Sequence, residues 1–222
     1  MNKFKVLDNT ALKLIAISIM LFNHIGLIFY DGVSLFVKIG EIGFPLFAFC
    51  ISEGFYYTRD RKKYLRNLFI FALITEIIFD YAFYEDINWL HQNVLFTFSL
   101  SVLFLMIYEK INNSNKNTST KTALLFLVFI MFLLISTITF GDHNTYGLIL
   151  IYIFYVFRDK PIIKYILSAI ILFISYKYKF ALLSIPIMMM YNGKKGFNLK
   201  YFFYTFYPLH LLILIIVRAL IK

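Results

Sequence analysis

Two polar residues, Asn23 and His24, lie inside an apolar run that extends from Leu12 to Tyr30. The run is close to the roughly 20 residues that a membrane-spanning helix needs. At about 1.5 Å per residue, His24 would lie roughly 18 Å from the inner end of this helix, in its outer half. An ionisable side chain within a membrane span is costly and usually marks a functional site. Because imidazole exchanges a proton near neutral pH, His24 is a candidate general base.

A second apolar run carries Glu76 and Asp80 four residues apart, so both carboxylates share one helix face. A carboxylate beside a histidine can orient the ring and stabilise its charged form. Asp80 is the first candidate for a catalytic partner of His24 and Glu76 the second. No helix carries two histidines three or four residues apart, as a helical zinc site would, so we predict no metal site.

Further polar residues fall at matching depths. The segment His91-Gln92-Asn93 precedes the fourth apolar run, and Tyr207 and His210 lie near the middle of the last one. We expect these groups to converge with His24 on one polar site at or above the membrane midplane. His91 and His210 are then additional catalytic candidates, and Gln92, Asn93 and Tyr207 are candidate substrate contacts.

A basic segment between the second and third apolar runs is a candidate docking site for a polyanion. It contains Arg59, Arg61, Lys62, Lys63 and Arg66. A cytosolic cofactor with several phosphates would bind there, and its long arm could carry an acyl group inward. Coenzyme A fits this description.

Each of these features also has a simpler interpretation. His24 could be a packed histidine bonded to a neighbouring helix, and the two acids could pair with Lys38 or Arg66. The segment 91–93 could only cap the helix that follows it. The basic residues could only set the membrane topology.

Composition predicts an all-α, polytopic transmembrane bundle in a single integral domain, residues 1–222. The chain is 61% apolar with a mean hydropathy of +0.76, against roughly 45–50% apolar residues in soluble domains. In this setting the net charge of +10 indicates basic loops and not a nucleic-acid partner. Cys50 is the only cysteine, so neither a disulfide nor a cysteine metal site is expected.

About nine spans are predicted, within a range of eight to ten. Their limits are Ala11–Tyr30, Leu35–Tyr57, Tyr64–Tyr84, Val94–Tyr108, Ala123–Phe140, Tyr146–Phe157, Ile162–Tyr176, Phe180–Tyr191 and Tyr201–Ile221. The second is interrupted by Gly40, Gly43 and Pro45. Lys and Arg concentrate in alternate loops, which predicts a cytoplasmic N-terminus. The opposite loops hold Asp31, Glu85, Asp86 and Asp142, with Lys177 and Lys179 as the exception.

Five segments carry a resemblance to a known family: LKLIAISIMLFNHIG, GEIGFPLFAFCISEGFYYTRDRKKYL, LITEIIFDYAF, HQNVLFTFSL and FYPLHL. Together they resemble the TraX family, whose named member is linked to N-terminal acetylation of F-type pilin. That family is similar to the wider membrane acyltransferases, in which a first-span histidine serves acyl transfer from acyl-CoA. The resemblance implies a bacterial cytoplasmic membrane, a catalytic role for His24 and a substrate-binding role for Glu53. An acidic residue often precedes the family's histidine, whereas Asn23 stands here, which leaves Asp80 or Glu76 as the partner.

The sequence therefore predicts an integral membrane acetyltransferase. It would move an acetyl group from cytosolic acetyl-CoA to a membrane or extracytoplasmic acceptor, which could be a peptide, a glycan or a lipid. His24 would act either as a general base or as a transient acyl carrier. Two other functions stay open. One is a small transporter whose interrupted second span lines a path, and the other is a non-catalytic subunit of a conjugation or secretion apparatus.

Overall fold

The computed structural model describes residues 4–30, 35–138, 143–176 and 179–221. Its α-helices are α1 (Asn9–Phe29), α2 (Leu35–Gly40), α3 (Gly43–Tyr57), α4 (Arg61–Phe83), α5 (Val94–Asn112), α6 (Thr118–Ile138), α7 (Asn144–Val156), α8 (Pro161–Ser175), α9 (Ser184–Met189) and α10 (Lys200–Ile221). A short 3-10 helix, Phe180–Leu183, precedes α9. The expectation of an all-helical protein is confirmed for the described residues, in which only an isolated bridge between Leu7 and Tyr191 has β geometry.

Every predicted span coincides with helix, although the count of nine crossings stays a prediction. The second span divides into α2 and α3 at residues 41 and 42, and the eighth divides into the 3-10 helix and α9. Among the described residues, five segments are long and apolar enough to cross a membrane, namely Asn9–Phe29, Leu35–Tyr57, Val94–Asn112, Thr118–Ile138 and Tyr201–Ile221. Helices α7, α8 and α9 are apolar but shorter. Asp31, Phe140, Asp142 and Lys177, on which parts of the span and loop-charge predictions rest, lie outside the described residues.

Helix α1 is at the centre of the packing that positions the site. It contacts α2 and α3 on one side and α10 on another, and α10 in turn packs along α4. Asn23 holds α2 against α1, because its side-chain amide donates to the Val37 carbonyl over 3.4 Å. A Cβ at Gly40 would lie 2.0 Å from the Asn23 Nδ2 atom, so only glycine permits this close approach.

The basic loops meet at one end of the bundle. Near the start of α1, the Leu7 amide donates to the Met190 carbonyl over 3.0 Å, and the Asn9 amide donates to the Lys194 carbonyl over 2.9 Å. Arg61 at the start of α4 forms an ion pair with Glu109 at the end of α5. The Tyr57 hydroxyl, at the end of α3, donates to the Gly193 carbonyl over 3.5 Å and joins the two sets of contacts. The start of α1 and the basic segments around Arg61, Lys110 and Lys194 therefore lie at the same end of the bundle.

We expect this face to be cytoplasmic, as the positive-inside rule predicts. In a Cys50→Ala background, a membrane-impermeant maleimide should label Asp86→Cys in intact cells. It should label Lys62→Cys only after lysis. The unmodified protein serves as a control. Its single cysteine, Cys50, is 3% exposed and should resist labelling in the folded protein. Labelling of Lys62→Cys in intact cells would contradict this prediction and indicate the opposite topology.

Candidate active site

The structure brings together two histidines that are 186 positions apart in sequence. His24 Nδ1 lies 2.7 Å from His210 Nε2, and the two rings are nearly parallel, at 13° with centroids 5.0 Å apart. His24 is 8% exposed and His210 is 4% exposed. The insertion of α10 between α1 and α4 creates this pair, which lies about 22 Å along α1 from its first residue.

The hydrogen bonds of the pair assign the protons of its neutral form. His210 Nδ1 lies 2.9 Å from the Phe206 carbonyl oxygen, which can only accept, so Nδ1 carries the proton and donates it. His210 Nε2 is then an acceptor, and His24 Nδ1–H donates to it. A neutral imidazole carries one N–H, so His24 Nε2 is left with an unshared electron pair. Within the described part of the chain this nitrogen makes no hydrogen bond.

Aromatic rings surround the pair. The Phe83 ring meets His24 edge-on with centroids 5.2 Å apart, and the Tyr207 ring lies 6.2 Å from it. Phe206 stacks on His210 at 5.0 Å and 10°. These contacts fix the planes of both imidazoles. The arrangement resembles the logic of a catalytic triad, in which a second group holds the tautomer and orientation of the histidine that moves the proton.

The two acids of α4 have other partners. Asp80 is 2% exposed, and its Oδ2 atom accepts from the Asn88 amide over 3.1 Å. Glu76 Oε2 accepts from the Asn93 main-chain amide over 2.9 Å and from its side-chain amide over 2.6 Å. In this structure His210, and neither Asp80 nor Glu76, contacts His24 Nδ1, and a catalytic partnership of His24 with a carboxylate stays a prediction. Asp80 lies three residues before Phe83, so its helix face still borders the histidine pair.

The segment 91–93 acts mainly as a helix start and loop anchor. Asn93 is fully buried, and its Oδ1 atom caps α5 by accepting from the Leu95 amide over 3.0 Å. The Gln92 side chain donates to the Trp89 carbonyl over 2.9 Å. His91 is exposed and stacks on Tyr84 with ring centroids 5.5 Å apart. These contacts agree with the interpretation of the segment as a helix cap, and they leave His91 exposed in the loop between α4 and α5.

The basic segment divides into paired and unpaired residues. The Arg61 guanidinium forms the ion pair with Glu109 and covers the Phe55 ring at 4.5 Å. The Lys63 amide caps the helix start by donating to Asp60 Oδ1 over 2.9 Å. The remaining cations, Arg59, Lys62 and Arg66, are exposed, and no ion pair joins them to another described residue. They are the members of the predicted docking site that are available to an anion.

Glu53 lies at the basic end of α3, in the half of the bundle away from the histidine pair. It is 2% exposed, and Arg158 donates to its two oxygens over 2.9 and 3.3 Å. The same guanidinium donates to the Tyr57 hydroxyl over 2.7 Å. Glu53 thus belongs to a buried ion-pair network and not to the site around His24.

Sequence reasoning missed three residues that define these sites: Phe83, Glu109 and Arg158. Phe83 gives no signal, because one phenylalanine among 27 cannot be distinguished by type. Glu109 and Arg158 do give a signal in the sequence, since each is a charged residue at the end of an apolar run. A search for opposite charges among the predicted cytoplasmic span ends would have paired them with Arg61 and Glu53.

Long apolar helices with polar side chains buried between them define this protein as a helical integral membrane protein. It belongs to the TraX family, because the family's sequence model, described as TraX protein, matches residues 8–218. It is also 31% identical to the probable fimbrial assembly protein FimC, serogroup H1, of Dichelobacter nodosus. That match covers 91% of this chain and 92% of the relative. No solved structure gives a significant match.

Proposed function

We propose that this protein is a membrane acetyltransferase that takes its acetyl group from cytosolic acetyl-CoA. One observation carries the proposal: the bond from His24 Nδ1 to His210 leaves His24 Nε2 as an oriented, unprotonated base among apolar helices. General base catalysis needs a group of this kind within hydrogen-bond reach of the acceptor. The membership of the TraX family supports the same activity, through the resemblance of that family to membrane acyltransferases.

The proposed step is an acyl transfer from sulfur to nitrogen or oxygen. The acceptor's N–H or O–H group gives its proton to His24 Nε2 while the nitrogen or oxygen attacks the thioester carbonyl. The carbon–sulfur bond then breaks, and the coenzyme A thiolate leaves with the proton that His24 Nε2 gives up, which restores the neutral imidazole. His24 is charged between these events, and His210 Nε2, as the acceptor on Nδ1, stabilises the imidazolium.

The acceptor is proposed to be a component of the cell envelope. The relative in Dichelobacter nodosus is named as a fimbrial assembly protein, which favours the N-terminal amine of a fimbrial or pilin subunit as the acceptor. A glycan or lipid hydroxyl would use the same chemistry. Mass spectrometry of envelope peptides, glycans and lipids with and without this protein tests the proposal, because the acceptor should lose one acetyl group when the protein is deleted.

The relative's name also supports a second candidate function, that of a non-catalytic assembly subunit. The two functions differ in a reconstituted system. Purified protein in vesicles should release free coenzyme A from acetyl-CoA when the acceptor is present if it is an enzyme. An assembly subunit would release none but would co-purify with other envelope proteins.

The exposed cations of the basic segment should bind the phosphates of acetyl-CoA. We expect the double variant Arg59→Gln/Lys62→Gln to raise the KM for acetyl-CoA about tenfold, because each loses a charge-assisted contact. The kcat should change little. The variant Lys116→Gln/Lys194→Gln removes the same charge from the same face and serves as a matched control. An equal KM for acetyl-CoA in the two double variants would contradict the docking site. The basic segment would then serve only to set the membrane topology.

A further inference from the structure

A cleft of about 210 Å³ opens at the basic end of the bundle, where α3, α5 and α7 end. Its aromatic wall consists of Tyr56, Tyr108 and Tyr155, and its amide wall consists of Asn112 and Asn113. The volume is below the roughly 300–1,000 Å³ of pockets that enclose a whole drug-sized ligand. The cleft therefore suits a single ring system.

The aromatic wall is built to receive a flat ring. The Tyr108 and Tyr155 rings are perpendicular, at 89° with centroids 6.2 Å apart, so one presents a face where the other presents an edge. The Arg158 guanidinium lies 3.8 Å above the Tyr56 ring and adds a planar cation to the lining. Tyrosine rings and arginine planes are the surfaces on which nucleic-acid bases stack in proteins.

The charges of the lining are compensated within the protein. Glu109 accepts from both Arg61 and the Tyr155 hydroxyl, and Arg158 is paired with Glu53. The remaining carboxylate of the lining, Asp159, is 89% exposed to solvent and lies 3.6 Å from the Arg158 guanidinium. The interior of the cleft therefore has little net charge. Beside it in the chain stand two exposed cations, Arg59, shortly after α3, and Lys110, near the end of α5. A neutral base inside and phosphates outside would match this distribution.

We propose that the cleft binds the adenine base of coenzyme A, with the tyrosines stacking on the ring and Asn112 reading its polar edge. A side-chain amide can form two hydrogen bonds with the N6 and N7 atoms of adenine. This inference rests on the proposed use of acetyl-CoA. It adds a specificity site for the adenosine half of the donor, separate from the phosphate contacts of the basic segment.

The test compares three ligands on the full chain in lipid nanodiscs: coenzyme A, 4′-phosphopantetheine, which lacks the adenosine half, and adenosine 3′,5′-bisphosphate, which lacks the pantetheine arm. Stacking on one aromatic side chain contributes about a 5- to 100-fold gain in affinity. We expect Tyr108→Leu and Asn112→Ala each to lower the affinity for coenzyme A and for adenosine 3′,5′-bisphosphate by about tenfold. The affinity for 4′-phosphopantetheine should not change.

Two matched variants control for general damage, since Tyr201→Leu and Asn115→Ala change the same residue types outside the cleft. They should bind all three ligands as the unmodified protein does. Equal affinities of the unmodified protein for coenzyme A and 4′-phosphopantetheine would overturn the adenine site but leave the proposed function standing. A protein that binds none of the three and releases no coenzyme A would overturn both. Because Asn112 is exposed, its variant tests the site even if Tyr108→Leu folds poorly.

Discussion

The variant His24→Gln is expected to transfer acetyl groups about 10²–10⁴-fold more slowly than the unmodified protein. Glutamine keeps much of the size of histidine and can still donate to His210, but it cannot accept and release a proton. The chain should therefore reach the membrane in normal amounts and bind acetyl-CoA with unchanged affinity. Single-turnover release of coenzyme A in reconstituted vesicles measures the effect directly, without a contribution from product release.

Variants of His210 distinguish a positioning residue from a structural one. His210→Gln retains an acceptor oxygen for the His24 Nδ1–H group, whereas His210→Leu removes it. We expect the leucine variant to lose more kcat than the glutamine variant and to shift the pH profile, with the KM for acetyl-CoA unchanged in both. A purely structural histidine would lower the amount of folded protein in the two variants and leave the pH profile of the survivors unaltered.

A partly buried histidine outside the pair, His143, provides the control for His24. His143 stacks on Phe44 with centroids 3.8 Å apart and lies 3.0 Å from the Tyr176 hydroxyl, so it has a packing role outside the proposed chemistry. His143→Gln should cost stability but little rate per folded molecule. Full acetyl transfer by His24→Gln would remove this histidine from the mechanism, and His91 would become the next candidate. An acetyl group trapped on His24 after acid quenching would instead identify it as an acyl carrier.

The sequence predicts the position of each helix well because apolar length is a local property. The matches of α1, α5 and α10 to their predicted spans follow from this. It does not predict which helices are neighbours, since many arrangements bury similar apolar surfaces. The contact of α10 with α1 is of this second kind. It joins residues 186 positions apart and converts two isolated histidines into the pair that defines the candidate site.

The sequence also could not show that His210, and not Asp80, would contact His24. Rise per residue gives only the depth of a side chain along its helix. The direction in which a side chain points around the helix axis depends on tertiary packing. That packing turns Asp80 toward the Asn88 amide and places Phe83, one turn further along α4, against the histidine ring.

Removing one partner of the ion pair between Glu53 and Arg158 should lower the stability of the folded protein strongly. The Glu53 side chain is 3% exposed and the Arg158 side chain 19% exposed, so Arg158→Met would leave a buried carboxylate without its cation. Removing one partner of a buried pair costs about 3–5 kcal/mol, because the remaining charge is neither paired nor hydrated. We expect the free energy of unfolding of Arg158→Met in mixed micelles to fall by about this amount.

The double variant Glu53→Met/Arg158→Met tests the physical reason. It removes both charges, and well-packed apolar replacements of a buried pair are often neutral or stabilising. It should therefore recover most of the stability that the single variant loses. Arg66→Met removes an exposed cation from the same face and should change the free energy of unfolding by less than about 0.5 kcal/mol. If Arg158→Met and Arg66→Met proved equally mild, Glu53 would have to reach solvent or another cation, and the buried network assigned to the basic end of α3 would be wrong.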